Sequence, residues 1–134
     1  MKTEPGDYSW SDLQRDKRTH WDGVTNTTAQ LNMRAMLKGD TVVVYHSQTD
    51  KAAVGLAEVV KGPYPDPTDE AGKRVWVDIR ARRPLARPVT LAELKAEPAF
   101  ATSMLMRQSR LSVVRLDDDQ LATIERLAAQ PSPP

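Results

Sequence analysis

The sequence predicts an α+β domain built on a small, mostly antiparallel sheet or barrel, and three observations lead there. A β-branched run, Thr41 to Tyr45, reads as a buried strand. The stretch from Arg74 to Arg83 alternates, with Val75, Val77, Ile79 and Ala81 on one face and Trp76, Asp78, Arg80 and Arg82 on the other. Capping signals then place helices in the connections and not between successive strands, which argues against a doubly wound parallel sheet.

Taken in order, Ala29, Met33, Met36 and Leu37 suggest a helix that ends at Gly39. After the Gly39-Asp40 turn comes the strand at Thr41, and Val54 to Val60 supplies a partner for it. Lys61 to Gly72 holds three prolines and two glycines, so it is expected to form an irregular loop and not a central strand. The alternating strand follows. Thr90 with Glu93 makes a capping box ahead of Leu91, Leu94 and Lys95, predicting a short helix that stops before Pro98. Asp117 to Asp119 favour a last helix N-terminus, with Leu121, Ile124, Leu127 and Ala128 as its apolar stripe. The tail from Gln130 to Pro134 carries three prolines in five residues and is expected to fray, leaving one domain over 1–129.

Composition excludes several function classes. There is no cysteine, hence no disulfide framework and no thiolate chemistry. No leader and no eighteen-residue apolar run is visible, so a cytoplasmic protein without a membrane partner is expected. Nineteen Lys plus Arg against 18 Asp plus Glu leave a net charge of +1, so a case for a polyanionic partner must rest on local clustering.

The search for catalytic groups returns little. His20 and His46 are the two histidines, and His20 with Asp22 reads as a polar pair at a loop edge, not as a metal site. His46 and Ser47 are adjacent, so on a strand their side chains point to opposite faces, and no GxSxG elbow exists. The six glycines form no phosphate loop. No enzyme, cofactor or metal is therefore expected. Trp21 lies in the polar setting HWDGV; a solvent-facing cleft accounts for that, and so does the commoner case of a partly buried core tryptophan whose indole meets a backbone carbonyl. Arginines cluster at Arg80, Arg82, Arg83 and Arg87, and again at Arg107, Arg110 and Arg115, where a solvated charged face is the plainer reading.

Six motifs in order, KTEPGDYSW (2–10), THWDGV (19–24), VYHSQ (44–48), GLAEVV (55–60), YPDPT (64–68) and RQSRLSV (107–113), closely resemble the EVE domain family. That family belongs to the PUA-like superfamily with the YTH domains, and the resemblance implies a compact, distorted, mostly antiparallel β-barrel with packed helices. It also implies recognition of a modified nucleobase in DNA or RNA. A flipped base needs π faces to stack on, hydrogen bonds to its edge, and cations for the flanking phosphates.

On this resemblance Trp21 stacks on the base, opposed by Tyr64 and Pro65. Thr3, Asn26, His46 and Ser47 read polar edges, with Asp22, Tyr45 and Ser109 also in the site, and Lys2, Arg107 and Arg110 meet phosphate or the base edge. Two departures bear on it. Where the family reads close to WDGVRNYQARN, this chain has Thr25, Thr27, Thr28, Gln30 and Leu31, two positive charges fewer, which implies weaker and less salt-dependent backbone binding. The alternative is a sensor of a free nucleoside or another small planar ligand. Second, the family carries an apolar segment resembling YWL just before its KTEP-like motif, whereas Met1 stands here, so either the chain start is set late or the first strand is abbreviated.

Overall fold

The structure, a computed structural model, describes residues 1–3, 6–22, 24–47, 51–101, 103–107 and 111–131. Five strands, β1 (Lys2–Thr3), β2 (Arg18–Trp21), β3 (Thr41–His46), β4 (Ala52–Pro65) and β5 (Val75–Thr90), form one sheet in the order β1-β3-β4-β5-β2. All pairings are antiparallel except β1 with β3. Helices α1 (Trp10–Asp16), α2 (Thr27–Arg34), α3 (Leu91–Lys95), α4 (Met104–Arg107) and α5 (Asp118–Ala129), with a 3₁₀ turn at Pro98–Phe100, fill the connections. The α+β architecture is as expected. The closed barrel is not formed, because among the described residues no ladder joins β1 to β2 and the sheet stays open.

Both faces of the sheet are buried. Val42 and Val44 of β3 enter a core with Trp10, Leu13, Met33, Val77 and Ile79, whereas Val43 and Tyr45 enter another with Leu85, Val89, Leu94, Phe100 and Ile124. That is why Thr41–Tyr45 is apolar without alternation.

The helix ends follow their caps. Thr90 with Glu93, and Asp117 with Gln120, make reciprocal capping boxes, as does Ser9 with Asp12 ahead of α1, a helix the sequence analysis does not foresee. Asn26 caps α2, which ends at Arg34, so the helix is shorter than its apolar spacing suggests. Leu37 lies beyond it, 68% exposed, because its N–H bonds the Asp40 carboxylate in the turn before β3.

Two corrections concern the prolines. Residues 61–65 belong to β4, and the irregular connection covers only 66–74. The register shifts between Lys61 and Tyr64, and Gly62 takes φ +116° there, so Pro63 occupies a bulge that asks no ladder hydrogen bond of it. β5 in turn runs on past Arg83 through Pro84 and Pro88. Its pairing with β2 ends at Arg80, so beyond that point β5 is an edge strand where a missing N–H is tolerated.

Candidate base-binding cleft

The two edge strands that fail to pair face a common cleft. It has a volume of about 490 Å³, within the roughly 300–1,000 Å³ of small-ligand sites, and its walls include Lys2 and Thr3 of β1, Thr19 and Trp21 of β2, and Tyr8, Asp22 and Ser112.

Strand alternation turns Thr19 and Trp21 inward and leaves Arg18 and His20 more exposed, with His20 still bordering the cleft. Trp21 pairs with Val77 across β5 and packs against the first core, so one part of its ring is fixed while the indole still borders the cleft. β1 is held from both sides by three backbone hydrogen bonds. Tyr45 N–H donates to the Met1 carbonyl at 2.9 Å, Ser47 N–H to the Thr3 carbonyl at 2.9 Å, and Lys2 N–H to the Ser112 carbonyl at 2.8 Å. The last bond brings the chain around Ser112 to the cleft. Thr3 Oγ1 donates to the Tyr8 carbonyl at 2.6 Å, tying two residues of the cleft wall together. Burial lowers the Lys2 ammonium from its usual value, and its Nζ stands 6.0 Å from the centre of the Tyr45 ring.

The other expected site residues serve the fold or stand apart. Tyr45 is buried in the second core. His46 is buried too, and its Nε2 accepts the Trp10 N–H at 2.9 Å, completing the start of α1. Asn26 spends its side-chain oxygen on the Ala29 N–H at 3.0 Å. Tyr64 does not oppose Trp21. It meets Trp76 edge-on at 6.3 Å and donates its hydroxyl to Asp78, and burial with that hydrogen bond pushes its phenol up to about 12. Burial opposes ionisation of Asp78, but hydrogen bonds from Tyr64 and Arg18 outweigh it and hold the carboxyl below its usual range. Pro65 ends β4 beside Val75, Ser47 follows β3, and Arg107 is exposed; none of the three lines the cleft. Ser109 and Arg110 lie outside the described residues.

So Lys2, Thr3, Trp21 and Asp22 of the expected set border one cleft, and Tyr8, Thr19, His20 and Ser112 border it with them. Thr19 was readable, being two residues before Trp21 on the same strand face. Tyr8 and Ser112 depend on the turn after β1 and on the chain returning beside it, which no local pattern encodes.

Arg80, Arg82 and Arg83 form the expected solvated face with partners, whereas Arg87 is largely buried against its own. Arg80 and Arg82 share Glu58, Arg83 meets Glu125 at 2.9 Å, and Arg87 reaches Glu93 at 2.8 Å. Gln30 is buried, its amide donating to the Val24 carbonyl at 2.9 Å and accepting the Val75 N–H at 2.9 Å. Among the described residues no three His, Asp or Glu side chains gather as a metal site, and no helix is long and apolar enough to cross a membrane.

Comparison with known proteins gives a consistent picture. The EVE domain family model matches residues 1–127. Rat thymocyte nuclear protein 1 is 32% identical over an alignment taking in 98% of this chain and 74% of the rat protein. The human protein of that name is 33% identical over 72% of this chain, which spans about half (54%) of the human length. Among solved structures, a Rhodopseudomonas palustris protein determined by NMR superposes with a TM-score of 0.90 at 43% identity, covering 96% of this chain and 90% of that one. Human THYN1 protein in complex with 5-methylcytosine-containing DNA superposes with a TM-score of 0.89 at 28% identity, covering 98% of this chain and 97% of that one. With a family model matched over nearly its whole length, the chain belongs to the EVE domain family.

Proposed function

We propose that this chain is a non-catalytic nucleic-acid-binding domain that receives a modified base, flipped from its strand, in the cleft between β1 and β2. The observation that carries this reading is the convergence of both open sheet edges on one cavity bordered by the Trp21 indole, with Lys2, Thr3 and Ser112 beside it. A flipped base needs such a π face and a few polar groups around its edge. The human relative bound to 5-methylcytosine-containing DNA supports a modified cytosine as the first ligand to try. On this reading the unpaired seam of the sheet is the family's distorted barrel opened along one side, and the base occupies the seam.

The test is binding of short single-stranded and duplex oligonucleotides, with and without one 5-methylcytosine, followed by tryptophan fluorescence. Tighter binding of the modified strand, with quenching lost in Trp21→Leu, is the expected result; equal affinity across the panel overturns it. A second reading, a sensor of a free nucleoside, is favoured by Gln30. Its amide is consumed within the fold and supplies no phosphate contact. A nucleoside that binds as tightly as the oligonucleotide carrying it, with no dependence on salt, selects that reading.

A further inference from the structure

Asp22 is shared by two clefts. Besides the one already described, it lines a neighbouring cavity of about 330 Å³ whose walls include Asp66, Arg74 and Trp76. Its carboxylate is 54% exposed and stands between them.

One oxygen of that carboxylate is held and the other is not. His20 Nε2 lies 3.1 Å from Asp22 Oδ2, whereas Oδ1 makes no hydrogen bond among the described residues. His20 is itself fixed. Its ring lies flat on Trp76, centroids 4.4 Å apart and planes 9° from parallel, and Trp76 is braced edge-on by Tyr64, which is tied to Asp78. Three rings packed in sequence on the outer face of β2, β4 and β5 therefore set the direction in which Asp22 presents its unoccupied oxygen.

A carboxylate offers acceptors only. Cytosine and adenine carry an exocyclic amino group that satisfies it. Thymine and uracil present a single ring N–H between two carbonyl oxygens, and those oxygens meet the negative charge with no proton between them. We infer that Asp22 is the specificity-determining residue of the cleft, selecting bases that carry an exocyclic amino group, with His20, clamped on Trp76, as its positioning residue. This rests on the base-binding reading and goes beyond it by naming the class of base.

The experiment uses the full chain and two labelled single-stranded oligonucleotides that differ at one position, 5-methylcytosine or thymine. Both bases carry the same ring methyl group, so the contrast isolates the amino-bearing edge. The unaltered chain prefers 5-methylcytosine by roughly 10- to 100-fold, the ratio expected of one hydrogen bond to a charged group. Asp22→Asn, whose amide also donates, brings the ratio close to one. His20→Phe keeps the stack on Trp76 but loses the ring N–H, and lowers the ratio; His20→Gln, which restores a donor, recovers it. An unchanged ratio in Asp22→Asn, or an equal loss of affinity for both oligonucleotides, overturns the inference and leaves base binding standing. Failure of the unaltered chain to bind either oligonucleotide overturns the base-binding reading itself.

Discussion

The cleft between β1 and β2 and the arginine face beyond it on β4 and β5 are both rich in charged and polar side chains, yet they are built in opposite ways. On the arginine face the charges are spent on one another: Glu58 takes Arg80 and Arg82, Glu125 takes Arg83, and Glu93 takes both ends of the Arg87 guanidinium. Trp21 and Asp22, by contrast, border a cavity, and only one of the two carboxylate oxygens of Asp22 is engaged among the described residues. A dense patch of one charge in a sequence therefore marks a binding surface only when the fold leaves it without counter-charges, and here the smaller, mixed set is the one left available.

Four changes would break or sharpen that contrast. The largest effect on ligand is expected from Trp21→Leu, which keeps apolar packing and removes the π face. Affinity for a modified oligonucleotide should fall by about 1–3 kcal/mol, read by titration, while the thermal midpoint moves far less. On the other side, Glu93→Gln should lower stability and leave that affinity intact. The effect carries a pH signature. Hydrogen bonds from Arg87 hold the Glu93 carboxyl below its ordinary 4.5, so its contribution is complete above that value and is lost as pH falls through the lower folded value. The gap between the unaltered chain and Glu93→Gln in urea titrations should therefore be widest above pH 4.5 and close in acid. A gap that widens in acid contradicts the pairing.

Smaller again is Tyr64→Phe, expected to cost about 1 kcal/mol of stability through the hydrogen bond lost to Asp78, with base affinity unchanged. A loss of affinity there would show that the tie to Asp78 reaches the cleft through Trp76 and His20. Last, Arg80→Gln should change stability by less than about 1 kcal/mol, since its pair with Glu58 is exposed, and should leave the salt dependence of oligonucleotide binding unaltered. A flatter salt slope would show that the paired face touches phosphate after all.

What could be read ahead of the structure was what is locally encoded. Thr90 with Glu93 and Asp117 before its helix announce their caps within four residues, and the run at Thr41 shows a strand covered on both sides because both of its faces are apolar. The site was only half legible. Trp21 and Asp22 stand in a recognisable motif, but the contact of His20 with Trp76 depends on β2 lying beside β5 in the register that pairs it with Asp78, 58 residues away and two residues from Trp76. His46 misled for the same reason, since its partner is the first N–H of a helix 36 residues earlier. The prolines at 63, 65, 84 and 88 misled because the rule against proline in strands concerns ladders that need every N–H, and bulges and edge strands do not.

β3 is one strand thick, and everything the cell or an engineer would want to change lies on one side of it or the other. Trp21 and the core that supports it are on the side of Val42 and Val44; Leu94, Phe100, Ile124 and helix α5 are on the side of Val43 and Tyr45. Substitutions at separated sites add nearly independently. On the proposed reading, changes on the seam side alter ligand preference and changes on the α5 side alter robustness, so a variant with a new preference is best sought by first enriching the α5 side for stability and only then diversifying the seam.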